Sequence, residues 1–133
     1  MRLVSVTHRF HLRVLVVEDE ALLKWSIAET LSRMGHTVIE AEDAESAIRT
    51  LNDMPEPADV VLLDCRLPDS NDLELLARIR ELTPLSVVVM MTAHGTPDLV
   101  ASALALGAYG VVDKPFDMHD LEPMLLDAYA ATR

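Results

Sequence analysis

The chain has 133 residues, half of them apolar and a quarter charged. That is the size and balance of one globular domain with its own core and no room for a second of ordinary size. Eleven Lys and Arg stand against 22 Asp and Glu, a formal net charge of -11, so an extended phosphate backbone is repelled and direct nucleic-acid binding is not expected of this segment. No apolar stretch reaches the length of a membrane helix, residues 1–10 alternate apolar and polar residues instead of forming the solid block of a secretion signal, and a single cysteine, Cys65, precludes an internal disulfide. These features imply a cytoplasmic protein.

From residue 14 onward, strand-like and helix-like signals alternate. Val14, Leu15, Val16 and Val17 make a first strand that ends at Glu18 and Asp19. Leu23, Ile27, Leu31 and Met34 then recur at spacings of four and three before Gly35, which predicts an amphipathic helix over about 20–34. A second strand is expected at 36–39 and a second helix at 44–51, with Ala47, Ile48 and Leu51 on one face and Pro55 and Pro57 beyond its end. The third strand, 59–63, delivers Asp64. A loop through Pro68 leads to a helix over about 72–82 carrying Leu75, Leu76, Ile79 and Leu82, closed by Thr83 and Pro84. The fourth strand, Val87, Val88, Val89, Met90 and Met91, ends at Thr92. Thr96 is a good N-cap and Pro97 suits the first position of a helix that stops at Gly107. The fifth strand, 109–112, precedes Lys114, and a last helix runs from 118 to about 131 on Leu121, Leu125 and Ala128.

Five strand-then-helix repeats imply right-handed crossovers and a doubly wound α/β fold, a parallel sheet with helices on both faces. The continuous apolar runs agree, because strands covered on both sides do not alternate with polar residues. In such sheets the ligand sits outside the carboxyl ends of the strands, where Glu18, Asp19, Asp64, Thr92 and Lys114 would gather. Three carboxylates in one cleft repel one another unless a cation joins them, and a hard divalent ion with oxygen ligands is the natural partner. Mg2+, or Mn2+ in its place, fits a shallow site of few direct carboxylates. A hydroxyl at Thr92 and an ammonium at Lys114 would help neutralise phosphoryl oxygens, with Asp64 as the candidate nucleophile.

Glu18-Asp19-Glu20, Leu63-Asp64, Leu67-Pro68-Asp69, Met91-Thr92-Ala93 and Asp113-Lys114-Pro115-Phe116, in this order and spacing, resemble the receiver domain of two-component response regulators. The resemblance covers residues 13–133 and leaves 1–12 as an N-terminal extension. It implies the strand order 2-1-3-4-5, a phosphoryl group taken by Asp64 from a histidine kinase or histidine phosphotransfer protein, and Mg2+ held by Glu18, Asp19, Asp64 and the main-chain carbonyl of Arg66. It further implies that Thr92 turns toward the acyl phosphate, that Lys114 pairs with it, and that Pro115 follows in a cis peptide. The surface of the fourth helix, fifth strand and fifth helix would carry the output and can support a homodimer. Trp25-Ser26, Leu67-Pro68-Asp69 and the segment 107–116 look most like receivers of the nitrogen-regulation type.

The chain also departs from that pattern. Asp72 stands where a glycine is usual, adding charge after the acidic loop. Val111 occupies the strand-five place usually held by a switch aromatic, and Tyr109, two residues earlier and on the same side of the strand, is the candidate substitute, against simple packing or exposure. Arg66 and His94, each two residues past Asp64 and Thr92, are candidates for setting the lifetime of the phosphoryl group. His8 and His11 lack further ligands for a metal site and fit a frayed extension. Cys65 lacks a catalytic histidine and reads as core. Trp25 fits a helix surface near the pocket mouth, as a kinase or dimer contact or an ordinary half-buried tryptophan. Two other function classes remain open from the residues: an aspartyl-phosphate hydrolase, which usually wants an acid where Arg66 stands, and a nucleotide- or flavin-binding domain, whose phosphate Glu18, Asp19 and Glu20 would repel.

Overall fold

A computed structural model describes residues 11–71 and 73–132. Most of the expected extension, with His8, and the departure at Asp72 lie outside the described residues.

Five strands, β1 (Arg13–Val17), β2 (Thr37–Ala41), β3 (Val60–Asp64), β4 (Val87–Thr92) and β5 (Gly110–Asp113), form one sheet in the order β2-β1-β3-β4-β5. All four pairings are parallel. The helices between and after them are α1 (Ala21–Arg33), α2 (Ala44–Asp53), α3 (Glu74–Leu82), α4 (Pro97–Ala105) and α5 (Leu121–Ala131). Fold class and strand order are those expected, and no helix among the described residues is long and apolar enough to cross a membrane.

Alternation along the strands divides the core in two. Leu15, Val17, Val61, Leu63, Val88 and Met90 face α2, α3 and α4 through Ala47, Leu75, Leu76, Ile79 and Ala103. Val14, Val16, Val60, Leu62, Val89 and Met91 face α1 and α5 through Ile27, Leu31, Leu121, Leu125 and Ala128. Both faces are therefore dry, which is why β1, β3 and β4 carry unbroken apolar runs. Burying each of these Leu and Val side chains contributes about 1.5–3 kcal/mol.

Local chemistry sets the ends of the elements. The Glu20 carboxylate accepts the Leu23 N–H at the start of α1, and Thr96 accepts the Leu99 N–H ahead of Pro97 in α4. Gly35 and Gly107 close α1 and α4 with φ of 94° and 103°, the left-handed region that favours glycine.

Several boundaries differ from expectation for identifiable reasons. His36 lies ahead of β2, with its Nδ1 accepting the Leu12 N–H at 3.0 Å, which leaves Nε2 as the protonated nitrogen, 2.6 Å from Glu122 Oε2 on α5. Leu12 itself is 1% exposed, and His11 is bonded through its ring to Gly35 O and Thr37 Oγ1, so these two residues are docked. Tyr109 precedes β5, donating its N–H to Val88 O. Residues Met118–Asp120 form a 3-10 turn before α5, capped by Asp117 accepting the His119 N–H. The expected loop through Pro68 contains a small antiparallel hairpin, Arg66–Leu67 paired with Ser70–Asn71.

Candidate functional site

Strand order reverses between β1 and β3, because the chain leaves β1 toward β2 and returns to the other side with β3. At that switch point the loops of an open α/β sheet diverge and leave a crevice. Four of the five strands deliver a group to it. Glu18 follows β1, Asp64 is the last residue of β3, Thr92 the last of β4, and Lys114 follows β5. Backbone bonds fix these ends: Glu18 N–H to Ala41 O at 3.0 Å, Cys65 N–H to Met91 O at 2.9 Å, and Lys114 N–H to Thr92 O at 2.7 Å. The Lys114–Pro115 peptide is cis.

The cleft is lined by Glu18, Asp19, Asp64, Arg66, Thr92, His94 and Lys114, among others. Lys114 Nζ lies 2.7 Å from Glu18 Oε1 and 3.2 Å from Asp64 Oδ2, so one ammonium bridges two carboxylates from different strands. Glu18 is fully buried, Asp64 and Thr92 nearly so, and Asp19 is exposed. The second oxygen of Glu18 accepts the Glu20 N–H at 3.0 Å, Asp64 Oδ1 accepts the Arg66 N–H at 3.2 Å, and Thr92 Oγ1 accepts the His94 N–H at 3.1 Å.

Electrostatics follow from this burial. Desolvation pushes the Glu18 carboxyl above its ordinary pKa, and the Asp64 charge adds to the rise; the hydrogen bonds from Lys114 and from the Glu20 N–H oppose it without cancelling it. For Lys114, desolvation works against the ammonium, but the hydrogen bond to Glu18 and the charges of Asp64 and Glu18 outweigh it and hold the pKa above the usual lysine value.

Carboxylate oxygens of Glu18, Asp19 and Asp64 all lie within 4.8 Å of one another. Mg2+ holds oxygens at about 2.1 Å, so two ligands on one ion stand at most about 4.2 Å apart. The 4.8 Å bound on the cluster is within about 0.6 Å of that spacing. Hard oxygen donors at an open cleft fit a cation that keeps several of its waters.

The remaining candidates divide by location. Arg66 and His94 line the cleft with exposed side chains. Cys65 is buried core, at 4% exposure. Trp25 is 60% exposed on α1, more open than an ordinary half-buried tryptophan. Val111 packs partly buried against the α2-α3-α4 core. Tyr109 is not brought to Thr92: it sits level with Val88, four residues down the sheet, and lines a groove with Arg80, Leu85 and Thr132. The reason is register, since Thr92 pairs with Asp113 and only residues near that end of β5 reach it. A separate cleft between α2 and α3, lined by Ile48, Arg49, Asn52, Glu74 and Arg78 among others, lies away from this constellation.

Two contacts near the site have little signal in the sequence. The Asp69 carboxylate accepts the N–H groups of Ala44 and Glu45 at the start of α2. A Cβ on Gly95 would stand 2.5 Å from Asp113 Oδ1 and 3.2 Å from Thr92 Cγ2, so a side chain there would require the exposed Asp113 carboxylate to turn aside. Pro68-Asp69 as a two-residue turn was the available hint for the first.

Comparison with known proteins agrees with this architecture. The model of the response regulator receiver domain family matches residues 14–126. The DNA-binding transcriptional regulator NtrC of Proteus hauseri is 36% identical over 107 residues, which are 80% of this chain and 22% of that protein. A crystal structure of NtrX from Brucella abortus superposes with a TM-score of 0.84 at 33% identity, covering 92% of this chain and 28% of that one. The solution structure of a beryllofluoride-activated NtrC4 receiver domain dimer superposes with a TM-score of 0.82 at 30% identity, covering 91% and 98%. The chain thus spans about a fifth of the length of the curated NtrC relatives it matches.

Proposed function

The chain belongs to the response regulator receiver family, in its NtrC-like branch, and from that premise we propose that it is a phosphorylation-dependent signalling switch whose phosphoacceptor is Asp64. A carboxylate oxygen of Asp64 attacks the phosphorus of a phosphohistidine on a histidine kinase or histidine phosphotransfer protein. The P–N bond breaks, the imidazole leaves, and the chain carries an acyl phosphate.

Each neighbouring residue has a task in that transfer. Glu18, Asp19, Asp64 and the main-chain carbonyl of Arg66 would hold Mg2+, which supplies charge neutralisation for the phosphoryl oxygens. Lys114 already stands 3.2 Å from Asp64 Oδ2, so a phosphoryl oxygen added to Asp64 comes within reach of its ammonium. Thr92, on the adjacent strand, donates its hydroxyl to another phosphoryl oxygen and draws the loop of His94 with it. Added charge then biases the surface of α4, β5 and α5 between two states. That surface serves output and homodimerisation, and the NtrC relatives are named transcriptional regulators, so we take the output to be control of transcription by a longer, cytoplasmic protein.

The observation that supports this most is the Lys114 bridge between Glu18 and Asp64 beside three clustered carboxylates. The test is incubation with acetyl phosphate and Mg2+ followed by intact mass. Wild type is expected to gain one phosphoryl group and Asp64→Ala none; an adduct retained by Asp64→Ala places the chemistry elsewhere.

A further inference from the structure

The loop that follows Asp64 is tied at its tip to a different helix. Arg66 pairs with Asn71 and Leu67 with Ser70, so Pro68 and Asp69 are the two turn residues of a minimal hairpin. Pro68 fixes its own φ and stiffens the turn. Leu67 is buried in the core with Leu75 and anchors one side. From the tip, the Asp69 carboxylate reaches the start of α2, where Oδ1 accepts the Ala44 N–H at 2.7 Å and Oδ2 accepts the Glu45 N–H at 3.0 Å.

These bonds complete a helix end that has its own cap. Asp43 accepts the Ser46 N–H at 2.8 Å, and Ser46 Oγ accepts the Asp43 N–H at 3.2 Å, a full capping box. The next donor, Ala47 N–H, bonds Asp43 O as an ordinary helical bond. Ala44 and Glu45 would otherwise keep the orphan donors of this first turn. A carboxylate there also meets the positive end of the helix dipole. Asp43 and Asp69 therefore cap different donors of the same helix start, but only Asp69 belongs to the hairpin.

We infer that Asp69 is a positioning residue for the phosphoacceptor site: by clamping the hairpin tip to the start of α2, it holds the Arg66 main chain beside Asp64. Two residues, Leu67 and Pro68, separate Asp69 from Arg66, and the Arg66 N–H is hydrogen-bonded to Asp64 Oδ1 at 3.2 Å. Displacement of the tip is transmitted along a two-residue ladder to that N–H and to the carbonyl beside it. This rests on the reading of Glu18, Asp19, Asp64 and the Arg66 carbonyl as a Mg2+ site, and it adds that α2, which supplies none of those ligands, tunes the site's affinity.

Asp43 supplies the control. Asp69→Ala and Asp43→Ala both remove carboxylate bonds from α2 and are expected to lower Tm similarly, by about 5 °C. Titration of each protein with Mg2+ alone, followed by amide resonances around Asp64 and Thr92, separates capping from positioning. Asp69→Ala is expected to weaken Mg2+ binding about 3- to 10-fold, Asp43→Ala to leave it within about 2-fold of wild type, and Asp69→Asn, which keeps one acceptor, to fall between. Amide exchange at Ala44 and Glu45 should speed up in Asp69→Ala with no metal present. Equal Mg2+ affinity in Asp69→Ala and Asp43→Ala, whether both unchanged or both weakened, overturns the positioning role while leaving the metal site standing. Absence of any Mg2+ response in wild type overturns the metal site and the tether together.

Discussion

Glu18 is the residue on which burial and charge conflict most. It is fully enclosed yet acidic, and desolvation raises its pKa despite the hydrogen bond from Lys114. A carboxyl whose folded pKa lies above its unfolded value binds protons more tightly when folded, so its contribution to stability is complete below about pH 4.5 and is lost as pH rises through the raised value. Asp43 works in the opposite sense: its pKa is lowered by the bonds from the Ser46 side chain and main chain, and its contribution is present above its unfolded value and lost in acid. The Glu18 effect is therefore isolated by difference. Without metal, the stability of wild type relative to Glu18→Gln should fall as pH rises from 4 to 7, measured by urea denaturation at each pH. A difference that grows in favour of wild type would show that Lys114 overcompensates for burial. A carboxyl held at such a cost is what a functional group fixed by its surroundings looks like.

At the scale of elements, turns and caps decide how closely the strand ends approach. Gly107 and Gly35 close helices with the same left-handed backbone, but a Cβ on Gly107 would stand 2.7 Å from Arg80 Nε, whereas one on Gly35 would meet nothing within 4 Å. Arg80 has little freedom to yield, because its guanidinium donates to Pro84 O and Ser86 O. Gly107→Ala should therefore cost about 2–3 kcal/mol and Gly35→Ala about 1 kcal/mol, compared by thermal or urea unfolding; equal losses would mean that Arg80 moves aside freely. The long elements were legible because their periods are unambiguous. Leu23, Ile27 and Leu31 repeat as a helix face, and Val60 to Leu63 run as a strand covered on both sides. The hairpin at Arg66–Leu67 was not, since two-residue strands carry no periodicity, and the Asp69 cap joins residues 24 and 25 positions apart. Position along a strand was equally hidden: alternation gives the side on which Tyr109 lies, but only register with β4 shows that it is level with Val88 rather than Thr92.

For the whole molecule, topology turns four separate strand ends into one site. Parallel strands point their carboxyl ends the same way, and the reversal between β1 and β3 opens the cleft into which Glu18, Asp64, Thr92 and Lys114 are delivered. That convergence could be read in the sequence because four of the five apolar runs end at a chemically distinctive residue; the pairing of Lys114 with Glu18 as well as Asp64 could not, because it depends on side-chain reach across β1 and β3. A concentration of negative charge around one ammonium is suited to accept a divalent cation and then a phosphoryl group, and the proposed function has Lys114 change partners as charge is added. The most direct test is a crystal structure grown with Mg2+ and beryllofluoride. Beryllium bonded to an Asp64 oxygen, Mg2+ beside Asp19 and Asp64, and Lys114 Nζ turned onto a fluorine are the predicted result. Beryllofluoride absent from Asp64 at saturating concentration, with Lys114 still seated on Glu18, would contradict it.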